Sequence, residues 1–258
     1  MAKERRRGLC CPLSSSDYTT QTSSITLRLV IFSDDTALVG CISGGDETEY
    51  RQLVDNFVAW SGEHHLVAKT KEMVVEFRRA RPELSTISIL GDKVQLAESY
   101  KYLGVHMNNK LDWKQQTEAV YKMGQSRLYF LRKLRSFNVC SKMLCMFYQS
   151  VVASAIFFAA ISWGSGIRAC DSKKFNKLIR RAGYVLGTAV VSMEVVMERR
   201  MVQKLLSIMD DNTHPLHNLV SKQKSVFSGR LRQLSCRKDR FKNAFLPTAI
   251  ALYNNSPF

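Results

Sequence analysis

Two apolar runs flank an acidic pair in the N-terminal part of the chain. Residues 25–31 and 36–40 are rich in β-branched and apolar side chains, which is typical of paired strands. The polar step between them carries Asp34 and Asp35, so the pattern predicts a hairpin with two carboxylates at its turn. Adjacent carboxylates repel unless a divalent cation lies beside them, and such oxygen ligands suit Mg2+. The alternative interpretation is an ordinary aspartate turn.

Helical spacing follows the hairpin. Leu53, Phe57 and Trp60 recur at intervals of three to four residues behind an acidic first turn, which predicts an amphipathic helix over residues 47–60. Alternating apolar positions then predict a half-buried strand over residues 74–77. With the hairpin and the region from 87–90 to Val105, this strand would form a small antiparallel sheet with the helix packed on one face.

From about Trp113 onward the pattern is helical, so the predicted fold class is α+β. Helices are expected over residues 116–134, 141–161, 173–186 and 194–209, with breaks at Asn138, 164–166, Gly187 and 212–215. Residues 151–163 are almost uniformly apolar, but a membrane-spanning helix needs about 20 such residues. A buried helix, apolar all round, is therefore the expected state of this run, and no membrane association is expected.

The chain is strongly basic, and its cations are clustered. Its 258 residues carry a formal net charge of +16, which favours a polyanionic partner such as nucleic acid. Two predicted helices concentrate the charge, and a looser basic stretch follows residue 229. We expect the helical cations to contact the phosphates of an RNA or DNA duplex without sequence preference; they are Arg127, Arg132, Lys133, Arg135, Lys173, Lys174, Lys177, Arg180 and Arg181.

The cysteines and the N-terminal residues bear on location. The seven cysteines include no C-x-x-C pair, so neither a zinc site nor a disulfide framework is indicated, and reduced thiols in an intracellular protein are expected. The first residues contain a short basic run and lack the long apolar core of a signal peptide. These features predict a cytoplasmic or nuclear protein.

The ordered motifs resemble the second half of the palm of a reverse transcriptase, and most closely that of non-LTR (LINE-type) retrotransposons. The residues that carry the resemblance are the Phe32-Ser33-Asp34-Asp35-Thr36 hairpin, the helix after it, the Lys69-Thr70-Lys71-Glu72 segment and the Tyr102-Leu103-Gly104 turn. It continues through residues 130–138 and 240–247, and so covers nearly the whole chain from about Tyr18. The resemblance implies an RNA-directed DNA polymerase with Mg2+ as cofactor.

The resemblance also implies roles for individual residues. Asp34 matches the metal-binding aspartate of the family and Asp35 its partner, and both are candidate catalytic residues. Lys69 matches a candidate proton donor to the leaving pyrophosphate, although the asparagine of the family's box has no counterpart here. Tyr102, Leu103 and Gly104 match the primer grip. No counterpart of the fingers, the first palm aspartate or the Gln-Gly box stands before Phe32, so we expect a truncated polymerase that is catalytically inactive.

Residues 121–164 also resemble a short helical segment named after the N-terminus of AlkB-homologue tRNA-modifying proteins. That name implies an iron- and 2-oxoglutarate-dependent dioxygenase, whose iron needs two histidines and a carboxylate. In the family this triad begins His-x-Asp, and none of the five histidines of this chain has an aspartate two residues later. The resemblance is therefore expected to extend to the helices and not to the chemistry.

Three hypotheses remain open: a reverse transcriptase remnant, a nucleic-acid-binding module without catalysis, and a helical interaction protein that carries the AlkB-homologue segment. They share one predicted organisation, with a basic N-terminus over residues 1–17, a truncated palm over 18–112, a thumb-like helical region over 113–212 and a basic C-terminal arm over 213–258. Metal dependence separates the first two hypotheses, and salt-sensitive affinity for nucleic acid separates both from the third.

Overall fold

The computed structural model describes residues 27–32, 35–40, 42, 46–63, 70–75, 87–89, 92–225, 229–236 and 238–255, with the side chains of residues 27–35 and 63 excepted. Contacts between Cα atoms divide the chain into two compact units, Met1–Leu111 and Asp112–Phe258. Strands and one long helix make up the described part of the first unit, and helices dominate the second. The fold class is α+β, as predicted.

The predicted hairpin and helix are both present in the first unit. Strand β1 (Leu27–Phe32) pairs antiparallel with β2 (Asp35–Gly40), with Leu27 opposite Gly40 and Phe32 opposite Asp35. Helix α1 (Thr48–Glu63) begins where Asp46 accepts a hydrogen bond from the Thr48 amide. Its apolar face packs with β2 in one core cluster, whose buried members are Leu38, Tyr50, Leu53, Val54, Phe57 and Ile87.

The remaining strands do not form the single antiparallel sheet that the sequence predicted. The described strands make four two-stranded pieces, of which β3–β6 is parallel and the others are antiparallel. The new strands are β3 (Lys71–Glu72), β4 (Ser88–Ile89), β5 (Asp92–Lys93), β6 (Gln95–Leu96), β7 (Ser99–Tyr102) and β8 (Val105–Asn108).

The strand predicted over residues 74–77 was misplaced. Pairing occurs at Lys71 and Glu72, residues 73–75 are irregular, and residues 76–77 lie outside the described part. Met73 is buried without belonging to a strand. Alternation of apolar residues reports burial on one side of an extended chain, but a strand also requires a neighbouring backbone to pair with.

The second unit packs two long helices against each other. Helix α2 (Lys114–Ser136) buries Val120, Gly124, Leu128 and Leu131, which follow helical spacing. Helix α6 (Ala169–Leu186) packs on it close to Gly124, where an added Cβ would lie 2.7 Å from Leu178 Cδ2. Since real Cβ atoms do not approach so closely, glycine at this position permits the contact.

In the sequence between α2 and α6, the predicted helix over residues 141–161 is present but interrupted. It comprises α3 (Ser141–Phe147), a π-helical segment (Tyr148–Ala153), α4 (Ser154–Ile156), α5 (Ala160–Trp163) and a 3-10 turn (Gly164–Gly166). Ala159 takes a left-handed conformation, with φ of 47°. Within residues 151–163, the side chains of Ser154, Phe158 and Ser162 are exposed, so the expected burial on all sides was wrong.

Side chains satisfy backbone carbonyls where this run departs from regular α-helix. Arg127 Nη1 donates to Val151 O at 2.7 Å, in the π-helical segment. At the break, Arg200 Nη1 donates to Phe157 O at 2.7 Å and Trp163 Nε1 to Phe158 O at 3.0 Å. These three donors stabilise the interrupted geometry by adding hydrogen bonds to carbonyls of the irregular segments. Phe157 O also accepts from the Ala160 amide at 3.3 Å, and Val151 O from Ser154 Oγ at 3.3 Å.

By length and composition alone, the 26 residues Ser141–Gly166 are apolar enough to cross a membrane. Within the unit, 39% of the most apolar 18-residue stretch is buried. The core helices of water-soluble proteins have the same composition, so the property does not by itself indicate a membrane.

The C-terminal residues belong to the same unit. After α7 (Met193–Asp210) come α8 (His217–Ser221), α9 (Asp239–Lys242) and α10 (Phe245–Asn255). Helix α10 packs on α7, with Ala249 and Ile250 fully buried, and Asn254 Nδ2 donates to Leu231 O at 2.7 Å. The stretch predicted as a basic arm, residues 213–258, is thus anchored by a packed helix.

Candidate nucleic-acid interface

The predicted polymerase site lies mostly outside the described residues. Asp35 opens β2 opposite Phe32, while Asp34 and Lys69 are not described. Within the described part of the chain, no three His, Cys, Asp or Glu side chains are grouped so that they could hold a metal ion. Two-metal phosphoryl transfer needs carboxylates that bridge both cations, and the hairpin offers only Asp34 and Asp35. This donor set does not fit a two-metal centre.

The predicted primer-grip residues form a tight hairpin turn. Strands β7 and β8 pair with Tyr102 opposite Val105, which leaves Leu103 and Gly104 as a two-residue loop. Both residues have positive φ, 45° for Leu103 and 83° for Gly104. Two consecutive positive φ values define a type I′ turn, which matches the twist of the flanking strands and favours glycine. The geometry gives a protruding backbone turn, and its contact with a primer stays a prediction.

The cations predicted on the second helix lie together on its exposed side. At 100° per residue, Lys173, Lys174, Lys177, Arg180 and Arg181 fall within about 120° of one another on α6. The buried side chains Phe175, Leu178, Ala182 and Leu186 lie on the opposite side. All five cations are exposed. We call this set the α6 basic stripe.

One edge of the stripe borders an open groove of about 1040 Å³. Its charged and aromatic lining comes from α6, namely Lys173, Lys177, Arg180 and Tyr184. The segment Thr188–Val190 lines it as well. The Tyr184 side chain lies on the same face as the three cations and is 79% exposed. Lys174 and Arg181 do not line the groove.

Two glycines hold the segment after α6 beside the helix. Gly187 has φ of 73°, and its amide donates to Gly183 O at 2.9 Å, which is a common way for a helix to end. A Cβ at Gly183 would lie 2.9 Å from Thr188 O, a backbone atom that cannot easily move aside. Both positions therefore require glycine.

A polar network fixes the start of α7 against α6. Asn176 Nδ2 donates to Glu194 Oε1 and Oε2 at 2.7 and 2.8 Å. The Asn176 Oδ1 accepts from the Met193 amide at 2.9 Å. The Ser172 hydroxyl also donates to Glu194. Partial burial raises the pKa of Glu194, but these hydrogen bonds outweigh it, and the net pKa lies below the ordinary value. The carboxylate thus stays ionised and keeps the segment in place.

The cations predicted on α2 separate into two groups. Arg132, Lys133 and Arg135 are exposed near the C-terminal end of the helix. Positive charge there also stabilises the helix dipole, which is the structural alternative for these residues. Arg127 is half-buried and hydrogen-bonds Val151 O, so its guanidinium serves the fold.

Tyr184 and Thr188–Val190 are the elements of the groove that sequence reasoning did not single out. Tyr184 could have been found from its spacing, because it follows Lys173 by eleven residues, Lys177 by seven and Arg180 by four, which places all four on one helical face. The position of Thr188–Val190 depends on the tertiary approach at Gly183 and has no local pattern.

Comparison with known proteins gives one partial match. Residues 113–154, which cover α2, α3, the π-helical segment and the first residue of α4, match the family described as alkylated DNA repair protein alkB homolog 8, N-terminal. The matched stretch lies within the second unit and overlaps the predicted 121–164. No curated protein matches the chain. No solved structure matches it either.

The matched segment carries no dioxygenase site. Residues 113–154 contain no histidine, and Glu118 is their one carboxylate. Elsewhere His217 Nδ1 hydrogen-bonds Ile208 O at 3.0 Å and His214 Nδ1 accepts from the Leu216 amide at 3.1 Å, which are structural roles. The similarity to this family therefore concerns the helices of residues 113–154 and not a catalytic site.

Proposed function

We propose that this chain is a non-LTR retrotransposon-derived polymerase remnant, comprising the second half of a palm and a thumb-like region, whose remaining activity is sequence-independent binding of nucleic acid duplexes. The order of the hairpin aspartates, the helix, the Lys69 segment and the Tyr102 turn supports the polymerase origin. The binding activity is supported by the exposed cations of α2 and α6.

The observation that carries the binding proposal is the α6 basic stripe. Five cations lie on one side of a helix whose other side is buried, and within the described part of the chain Lys174 alone among them forms an ion pair, with Asp171 at 3.2 Å. A stripe of this kind neutralises phosphates along a polyanion and releases its counterions. The exposed cations at the end of α2 extend the positive surface within the same unit.

Fluorescence anisotropy tests this proposal. We expect two unrelated 20-base-pair RNA–DNA hybrids to bind with equal affinity, and the affinity to fall by orders of magnitude as salt rises from 50 to 200 mM. The triple variant Arg132→Gln, Lys133→Gln and Arg135→Gln should flatten the logarithmic salt slope by up to about 0.9 for each lost contact. A second triple variant that replaces Lys173, Lys177 and Arg180 of α6 with glutamine should flatten the salt slope too.

The matched control removes the same charge from other exposed positions of the second unit, with Lys114→Gln, Lys122→Gln and Lys222→Gln. If the control and the two clustered variants change the slope equally, the positive charge acts diffusely and the helices form no defined interface. If neither hybrid binds in 50 mM salt, the binding proposal is wrong.

Primer extension tests the catalytic part of the proposal. With no counterpart of the first palm aspartate in its 258 residues, the chain should extend no primer on an RNA template with Mg2+ or Mn2+. Extension by the wild type that disappears in Asp34→Ala would refute this reasoning, because it would require a third carboxylate elsewhere in the chain.

The family match supports a second candidate function, a helical interaction protein without catalysis. Residues 113–154 include the exposed aromatic side chains Tyr129, Phe130 and Phe137, which could pack against a protein partner. Such a protein would show no salt-sensitive affinity for polynucleotides, so the anisotropy experiment separates the two functions.

A further inference from the structure

We propose that the groove beside α6 binds a single strand of RNA or DNA, with phosphates on Lys173, Lys177 and Arg180 and one unpaired base stacked on Tyr184. This inference rests on the proposed function, since it assumes that the chain binds nucleic acid, and it specifies which form of polynucleotide one surface selects. The argument depends on the spacing of the four side chains, the concavity of the surface and the exposure of the tyrosine.

The four side chains form a line along the helix. With a rise of 1.5 Å per residue, Lys173 and Tyr184 are separated by about 16 Å along the helix axis, and the two other cations stand between them. Stacked nucleotides advance by about 3.4 Å each, so the line spans about five nucleotides. Three cations followed by one aromatic ring suit a short strand whose phosphates lie on the cations and whose last base reaches the ring.

The exposure of Tyr184 favours a single strand over a duplex. Its side chain is 79% exposed, so the fold leaves the ring accessible to solvent. In a duplex the bases are stacked on one another and present phosphates outward, which would engage the cations but leave the ring without a partner. An unpaired base has an accessible π-face, and aromatic side chains in basic grooves stack on such bases irrespective of sequence.

The concave shape supports the same choice. The groove of about 1040 Å³ is bounded by α6 and by the segment Thr188–Val190, so a ligand must enter between two walls. Ile179, Gly183, Ala189 and Val190 make the walls beside the cations largely apolar. Apolar walls flanked by cations suit the alternation of base and phosphate in a single strand.

The negative groups near the groove are already engaged. Glu194 accepts hydrogen bonds from Asn176 and Ser172 at the start of α7. Asp171 is buried and pairs with Arg168 and Lys174. The three groove cations form no ion pair within the described part of the chain, so no described carboxylate competes with a phosphate for them. The glycine contacts at Gly183 and Gly187 hold the opposite wall in place before a ligand arrives.

The test uses the full chain and two labelled probes, a 20-nucleotide oligouridylate and a 20-base-pair RNA duplex, in anisotropy titrations at several salt concentrations. Tyr184→Leu should weaken oligouridylate binding about 5- to 150-fold, the range given by one lost base–aromatic stack. Duplex binding should change less than about twofold. Tyr184→Trp should restore oligouridylate binding, because the larger ring also stacks. Tyr129→Leu, at another exposed tyrosine, is the control and should leave both affinities unchanged.

A pair of neighbouring arginines provides a second, charge-matched comparison. Arg180 lines the groove and Arg181 does not, although both are exposed on α6. Arg180→Gln should lower the oligouridylate salt slope by about 0.7, the value for one single-strand phosphate contact, and Arg181→Gln should leave it unchanged. Photocrosslinking of a 4-thiouridine-substituted probe should label the tryptic peptide of residues 182–199, which contains Tyr184.

The outcomes separate this inference from the proposed function. If the wild type binds neither probe at low salt, both proposals are wrong. If it binds the duplex with a steep salt dependence while Tyr184→Leu and Arg180→Gln behave like their controls, the chain binds nucleic acid but the groove does not select a single strand. A crosslink to a peptide outside residues 182–199 would likewise overturn the groove assignment.

Discussion

Arg200 should be one of the most sensitive positions of the second unit. Its Nη1 donates to Phe157 O at 2.7 Å, and its guanidinium carbon lies 5.2 Å from the centroid of the Phe157 ring. Both contacts hold the break in the apolar run, next to the left-handed Ala159. The substitution Arg200→Met removes the charge and the hydrogen bond while keeping an unbranched side chain of similar reach.

The expected loss follows from two contributions. A hydrogen bond with one charged partner contributes about 1.5–3 kcal/mol. Without Arg200, Phe157 O keeps the longer hydrogen bond from the Ala160 amide, at 3.3 Å. A partly exposed cation–π contact adds about 0.5–1 kcal/mol. We therefore expect Arg200→Met to lower the free energy of unfolding of the second unit by about 2–4 kcal/mol. In a unit of this size the melting temperature should fall by about 5–15 °C.

Tryptophan fluorescence during urea or thermal unfolding measures this change, because Trp163 is fully buried next to the break. Arg199→Met is the matched control: Arg199 is exposed on the same helix, and its replacement removes the same charge. Arg200→Lys keeps the charge but not the guanidinium, so its free energy of unfolding should lie between those of the wild type and Arg200→Met. Equal stability of the Arg199→Met and Arg200→Met variants would refute the view that the Phe157 carbonyl needs this donor.

Two further predictions concern the same unit. Ala159→Gly should raise the free energy of unfolding by about 0.5–1 kcal/mol, because a left-handed conformation strains alanine more than the added flexibility of glycine costs, and urea titration would show it. Asp171→Asn should lower that energy by about 1–3 kcal/mol at neutral pH. Burial raises the pKa of Asp171, but Arg168 and Lys174 outweigh it and hold the pKa below its ordinary 3.8. Its stabilisation is thus present above pH 4 and lost as the pH falls further, so the melting temperatures of variant and wild type should converge in acid; a difference independent of pH would contradict this.

Elements with strong local patterns were predicted from the sequence. The hairpin, helix α1, α2, α6 and α7 combine regular apolar spacing with recognisable ends, and Gly187 and Asn138 end helices with the positive φ that their residue types tolerate. Strand β4 lies within the predicted region 87–90, but β3 and the pairing of the strands over residues 71–96 were not predicted, because two-residue pairings depend on which distant segment lies alongside. Hydropathy likewise does not reveal the break before α5, since alanine and phenylalanine give no indication of a left-handed residue.

The candidate interface was predictable in part for the same reason. The cations of α6 follow from helical periodicity, which places them opposite the buried face. The groove requires the close approach at Gly183, which is a tertiary contact, and so it could not be deduced. Arg127 shows the converse limit: charge clustering gives no means of telling a cation that binds a ligand from one that donates to a backbone carbonyl.

The two arginine-to-carbonyl bonds also determine how the apolar run Ser141–Gly166 would behave at a lipid bilayer. Transfer of this run into hydrocarbon would either carry the guanidinium groups of Arg127 and Arg200 with it or detach them from Val151 O and Phe157 O. An arginine at the centre of a spanning helix costs about 2.5–3.5 kcal/mol on insertion scales, and a hydrogen bond lost in lipid is not replaced by one to water. The hydropathy of the run alone includes neither cost, because both arise from hydrogen bonds between the run and the half-buried arginines of α2 and α7.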